Sequence, residues 1–408
     1  MHQKIEEKMI DYLENLAQCG RTANDGVTRR LYDVFWCDAQ QMLTTLCKNA
    51  GLDVCHDKVG NLFGRRQGSN PLAKSILSGS HLDTVIDGGK LDGIYGVISA
   101  LIAIEMLYLE YGQPDKTIEL IAFAEEESSR FDYGFWGSKS FLELADLREV
   151  SALVDDEGIS FLEAMEFALK GLDDIGNRSY KEYAAFIEVH IEQGQILEKS
   201  QKRIGVVEQI VGLVCYEFLL KGVSNHAGTT RMDERADAML TYAEIVVSVT
   251  AYAKKEGFVL TFGKIKCTPN SSNIIAGEVF ATIDMRAPNT QKLAEYAQHV
   301  EKIIYTLSKN NNTTATIHKW LNQAAQKFDT TLIETLTLIC EKKQIPYKKM
   351  PSSAGHDSQI IAPYIPTAMI FVPSIKGISH SPKEATHIKD LVVGVEVLME
   401  LLYELAYK

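Results

Sequence analysis

The sequence predicts an α/β protein interrupted by a compact α+β unit. Three observations carry that prediction: apolar strands alternating with helices in the first half, a β-α-β-β-α-β run after residue 205, and a return to alternation from residue 328. The run SILSGS (75–80) is apolar or small throughout and TIELIAFA (117–124) is apolar apart from Thr117 and Glu119, as in strands buried on both faces of a sheet. Helices are expected over 3–18, 38–50 and 92–111, with strands near 53–57, 61–65, 75–81 and 117–124. Beyond residue 205, IGVVEQIVGLVCYEFLLKG suits one or two strands. A helix over 232–255, strands over 258–267 and 274–286, a helix over 289–308 and a strand over 313–320 then complete a ferredoxin-like order. A helix at 328–342, the strand TAMIFVP (367–373) and a helix at 388–406 resume the first style.

Composition narrows the class. The 408 residues suffice for two domains, and 46% hydrophobic with 24% charged residues is ordinary for a globular chain. No apolar run reaches the ~20 residues of a bilayer span, and the charged, amphipathic start MHQKIEEKMIDYLENLAQ is unlike a signal peptide. A net charge of -12 argues against nucleic-acid or anionic-membrane partners. The seven cysteines are odd in number, scattered and never in CxxC spacing. That fits reduced thiols in a cytoplasmic protein, and neither a disulfide framework nor a thiolate zinc site.

In SGSHLDTVIDGGKLDG (78–93) an apolar strand ends in His81, Asp83, Asp87 and Asp92. Taken singly, the aspartates are turn formers or a helix cap. Together, an imidazole and several carboxylates at one strand end repel or desolvate each other unless a cation sits among them. IAFA ends in Glu125, Glu126 and Glu127, which could instead open a helix. AFIEVHIEQG sets His190 in an apolar strand with Glu188 and Glu192 on its face. FVPSIKGISHSPKEAT carries His380 in a loop just after a strand. His81, Asp92, Glu127, His190 and His380 thus belong to, or directly follow, strands of the α/β part, where open sheets collect ligands. Two imidazoles and a carboxylate per ion, with one carboxylate shared, suit two Zn2+, Mn2+, Co2+ or Ni2+ ions. Glu126, beside Glu127, is the natural general base. Arg286 ends an alternating strand and could grip a carboxylate in two-pronged fashion or simply sit on the surface, and the amides of Asn273 and Gln193 could bind a polar group or simply fix a loop. His226, in NHAGTT, could donate to an oxyanion. The remaining histidines, His2, His56, His299, His318, His356 and His387, are expected to be structural or surface residues.

The ordered series GSHLDTV, LDG, AEEESSRF, HIEQG, NHAGTT, AGHD and GISHSP resembles the amidase branch of the M20 metallopeptidase family over essentially the whole chain. TRRLYDVFW, YGFWGSKSF and MIFVPSIKGISH look most like members of that branch acting on allantoate. The resemblance implies a zinc-peptidase-like α/β/α catalytic domain over 1–209 and 326–408, with a ferredoxin-like lid and dimerisation domain inserted at 210–325. It implies His81 and His190 on one metal, Glu127 and His380 on the other, Asp92 between them, Asp83 orienting His81, and Glu126 as base. Gln193, His226, Asn273 and Arg286 would hold substrate. The implied reaction is cleavage of the ureido C–N bond of allantoate in purine degradation, with Mn2+ as the favoured ion. Hydrolysis of N-carbamoyl-L-amino acids is the alternative, and a non-catalytic metal or ureido-compound binder the remote one. A homodimer with composite sites, each taking His226 from the other subunit, is also implied. Ser128, Arg231 and Ser353 depart from the usual glycine, proline and glycine; none removes a ligand.

Overall fold

In the computed structural model, which describes residues 1–172, 175–176 and 178–408, the patterning becomes these elements. Helices α1 (His2–Gln18) and α2 (Val34–Asn49) precede β1 (Asp53–His56), β2 (Leu62–Arg66) and β3 (Ser75–His81). Next come α3 (Ile94–Tyr111), β4 (Ile118–Phe123), α4 (Trp136–Phe141), α5 (Leu147–Val150), α6 (Phe161–Leu169), β5 (Tyr183–Ile191), α7 (Ile196–Lys199) and β6 (Ile204–Ile210). Then follow β7 (Gly212–Lys221), α8 (Ala238–Glu256), β8 (Val259–Thr268), β9 (Glu278–Ala287), α9 (Thr290–Asn310) and β10 (Thr314–Gln323). The chain closes with β11 (Gln326–Lys327), α10 (Thr330–Lys342), β12 (Tyr347–Ser352), α11 (Asp357–Ile361), β13 (Thr367–Val372) and α12 (Ile388–Ala406). Two compact units result: Met1–Glu208 with Lys327–Lys408, and Gln209–Gln326.

The first unit is built on a nine-stranded sheet ordered β1-β2-β4-β3-β5-β13-β6-β11, with β12 paired to β6. Its centre, β4-β3-β5-β13, is parallel, so four strand carboxyl ends emerge side by side. Every residue of β3, β4 and β13 is buried, which explains their lack of polar alternation. Despite Glu105 and Glu110, the 18-residue α3 is by length and composition alone apolar enough to cross a membrane, contrary to the expectation from sequence; 72% of it is buried. Packed on β3, α1 and α12, α3 is a core helix.

The second unit is an antiparallel sheet, β10-β7-β9-β8, packed with α8 and α9. Burial alternates residue by residue along β9. Val279, Ala281, Ile283 and Met285 enter the core, so Thr282, Asp284 and Arg286 point to the other face.

Several local expectations are corrected. The helix expected from 232 starts at Ala238, where the Asp237 carboxylate caps the amides of Met239 and Leu240; Met232–Glu234 is a separate 3-10 turn. The strand expected from 274 starts at Glu278, because the amide of Ile275 donates to Asn225 O. Helix α2 starts at Val34 under an Asp33 cap, and β12 had no pattern that revealed it. The glutamates after β4 open no helix, since the next one begins at Trp136.

Candidate functional site

Four adjacent strand ends bring the acidic and imidazole groups of the first unit together. His81 is the last residue of β3, His190 the penultimate residue of β5; Glu125–Glu127 follow β4 and His380 follows β13. Asp92 arrives from the turn before α3. It does not cap that helix: Gly93 holds the cap position at φ 68, which frees the Asp92 carboxylate. A β-carbon at Gly93 would overlap the His81 ring, so only glycine lets these two elements approach.

The imidazoles are oriented through Nδ1. His81 Nδ1 lies 3.1 Å from Asp83 O and 3.3 Å from Asp83 Oδ1, and His190 Nδ1 lies 2.9 Å from Ile191 O. In each ring Nδ1 faces an acceptor, which turns Nε2 toward Asp92 Oδ1, at 3.5 Å for His81 and 3.1 Å for His190. The other oxygen, Asp92 Oδ2, is 3.2 Å from His380 Nε2, which stands 3.4 Å from Glu127 Oε1. Asp83 also accepts the amides of Glu126 (3.0 Å) and Glu127 (3.1 Å), so one buried carboxylate positions both His81 and the glutamate loop.

The donor set fits divalent ions. Donors about 2.1 Å from a tetrahedral ion stand about 3.4 Å from one another, and the distances above cluster around that value. Within the described residues, His81-Asp92-His190 and Asp92-Glu127-His380 each place ligand atoms within 4.8 Å of one another, and so do His81-Glu126-Glu127. Ring lone pairs facing carboxylate oxygens are repulsive without a cation or proton between them. The titration of these groups reflects the same crowding. Burial, and then the Glu127 charge, pushes Glu126 well above the usual carboxylate range. Burial and the Asp92 charge raise Glu127 to about 7. His380 is raised to about 9, chiefly by its bond to Asp92. Burial opposes ionisation of Asp92, yet hydrogen bonds from His190, His380 and His81 hold it well below the usual range.

Other residues prove to have different work from that expected, or work the sequence did not suggest. Glu188 accepts from Ser80 Oγ (2.7 Å) and Ser358 Oγ (2.6 Å), and Glu192 accepts the amides of Ile196 and Leu197. Both flanking glutamates therefore brace the fold. Gln193, at φ 57, donates Nε2 to Asp92 Oδ2 at 2.9 Å. His356, fully buried, meets the His190 ring edge-on at 4.5 Å and Ser352 Oγ at 3.1 Å; burial and then the His190 charge hold its pKa well below the ordinary value. Ser128 sits at φ 49, a left-handed conformation that accounts for glycine being usual there. Ser379 and Glu384, which lie in the FVPSIKGISHSPKEAT stretch but for which the sequence predicts no role, contact Asp92 directly.

His226, Asn273 and Arg286 lie in the second unit. His226 is exposed, its Nδ1 accepting the Gly228 amide at 3.1 Å, and Asn273 O accepts the Ala227 amide at 3.0 Å, so the two loops are paired. Asn273 Oδ1 accepts from Ser271 Oγ. Arg286 already holds a two-pronged contact, Nε and Nη2 each 2.9 Å from an oxygen of Asp284, its neighbour on the same strand face. A substrate carboxylate would share or displace that contact, which the strand pattern alone did not show.

The fold and this donor set define a metal-dependent hydrolase. The chain belongs to peptidase family M20/M25/M40, whose profile matches residues 77–404. It is 41% identical over 408 residues to the allantoate amidohydrolase of Escherichia coli (strain K12), covering 100% of this chain and 98% of that one. It is 36% identical over 382 residues to the N-carbamoyl-L-amino-acid amidohydrolase of Paenarthrobacter aurescens, covering 92% of each. Among solved structures, a hydantoinase/carbamoylase-family amidase from Burkholderia multivorans superposes with a TM-score of 0.92 at 30% identity, over 99% of this chain and 98% of that one. The enzyme is accordingly a hydrolase acting on non-peptide C–N bonds.

Proposed function

We propose that the chain hydrolyses the ureido C–N bond of allantoate, giving ureidoglycine, ammonia and carbon dioxide. The chemistry is carried by one observation: Glu126 stands half-buried beside a cluster of three imidazoles and two further carboxylates at the sheet's carboxyl edge. The substrate is supported by full-length similarity to an allantoate amidohydrolase. His81, His190 and Asp92 Oδ1 would hold one divalent ion, and Glu127, His380 and Asp92 Oδ2 a second, with Mn2+ favoured over Zn2+, Co2+ or Ni2+. Bound there, the ions would polarise the scissile carbonyl and acidify the attacking water. Glu126 takes that water's proton and returns it to the leaving nitrogen. Asp83 keeps His81 and the Glu126 amide in register. Seven unpaired cysteines accord with a cytoplasmic location. The deciding assay is ammonia release from allantoate against a panel of N-carbamoyl-L-amino acids, before and after chelation and Mn2+ repletion. N-carbamoyl hydrolysis, which the 36% relationship supports, would be the reading if that panel were turned over faster. Full activity in thoroughly metal-free protein would remove both.

Arg286 would recognise the substrate carboxylate, oriented by Asp284. Arg286→Ala is expected to raise KM by about tenfold or more, and to lower kcat if the scissile bond is misplaced. Lys rescues poorly, because it lacks the planar fork. Unchanged steady-state kinetics would move the carboxylate site elsewhere.

The inserted unit would act as a lid and dimerisation domain, with each site completed by His226 of the partner subunit. Exposure of His226 supports this. Glu126→Ala and His226→Ala homodimers should each be nearly inactive. On random mixing about half the dimers are heterodimers with one intact site, so activity returns to about a quarter of wild type. Purified heterodimers without recovered activity would place His226 in its own chain's site.

A further inference from the structure

We propose that Glu384, acting through Ser379, sets how strongly Asp92 Oδ2 holds a cation, and so governs retention of the ion shared by Asp92, Glu127 and His380. This rests on the metal-binding reading above. Glu384 lies in the loop after β13 and is 9% exposed. Its Oε1 accepts the amides of Leu91 (3.0 Å) and Asp92 (3.1 Å), which ties that loop to the turn carrying Asp92. Its Oε2 accepts from Ser379 Oγ at 2.7 Å. A β-carbon at Gly89 would overlap the Glu384 carboxylate, so the turn keeps a space that this group fills.

Ser379 Oγ is also 3.2 Å from Asp92 Oδ2. A hydroxyl has one proton to donate. The shorter contact gives it to Glu384. Gln193 Nε2 then bridges what would otherwise be two facing acceptors, donating to Asp92 Oδ2 at 2.9 Å and lying 3.3 Å from Ser379 Oγ. Asp92 Oδ2 thereby keeps its contacts with Gln193 and His380 and is spared the Ser379 proton. A carboxylate oxygen with fewer hydrogen bonds keeps more of its basicity for a cation. Glu384 is thus a positioning residue with an electronic role: by holding the Ser379 proton, it withholds that proton from Asp92.

Glu384→Gln tests the idea. The amide oxygen must face the Leu91 and Asp92 amides, so its NH2 faces Ser379 and donates. The Ser379 proton then turns onto Asp92 Oδ2. Stripped proteins titrated calorimetrically with Mn2+ are expected to show two binding events in wild type. In Glu384→Gln one event weakens about 10- to 100-fold, the size usual for a lost partner of a ligand, and the other changes less than about threefold. Added to Ser379→Ala, the same substitution should have no further effect, because no proton remains to redirect. Glu384→Asp, an anionic acceptor of the wrong length, should bind closer to wild type than the isosteric Gln. Equal weakening with and without Ser379, unchanged binding, or Gln outperforming Asp would each reduce Glu384 to a brace. Failure of wild type itself to bind two ions would instead overturn the metal reading.

Discussion

Glu126→Gln is expected to lower kcat by about 10²- to 10⁴-fold, the usual contribution of a general acid–base group, with metal content unchanged. The two halves of that result have separate causes. Gln keeps the volume of the side chain, and the amide of residue 126 still donates to Asp83, so the loop that also positions Glu127 stays in place. What disappears is the carboxylate that can take a proton from water and pass it on. Stopped-time ammonia release and metal analysis on one preparation check both halves. Wild-type turnover in Glu126→Gln would remove the mechanism; metal loss would reassign Glu126 as a ligand.

Asp92→Ala should be the most damaging single change. Each carboxylate oxygen serves a different pair of neighbours, Oδ1 facing His81 and His190, Oδ2 facing His380 and Gln193. Removing both leaves imidazoles that lack their shared anion, and metal retention should fall at both positions together. Activity should fall below detection. Metal analysis after exhaustive dialysis is the measurement, and loss of a single equivalent would contradict the bridging role. Comparison with Glu384→Gln is informative, because that substitution is expected to touch only the Oδ2 side.

Much of the architecture was legible because periodicity reports burial. The short runs of β3, β4 and β13, without polar alternation and set between turn signals, fit strands covered on both faces, and the alternation of β9 fits a strand with one face in a core. Boundaries were less legible where a cap competes with a pattern. Residues 232–237 carry helical-looking spacing, but Asp237 uses its side chain to start the helix six residues later. In the same way Gly93 took the cap position that Asp92 seemed suited to.

The sequence by itself determined the α/β class, the inserted antiparallel unit and the set of residues that carry imidazole or carboxylate at strand ends, because those follow from local spacing and strand polarity. Only the tertiary structure decided which of those groups meet. Glu188 and Glu192 share a strand face with His190, yet one is spent on Ser80 and Ser358 and the other on the α7 amides. Arg286 pairs with Asp284, and Glu384, distant in sequence, reaches back to the Asp92 turn. Hydrogen-bond partners are chosen by proximity across the fold, and a linear pattern holds no record of that distance.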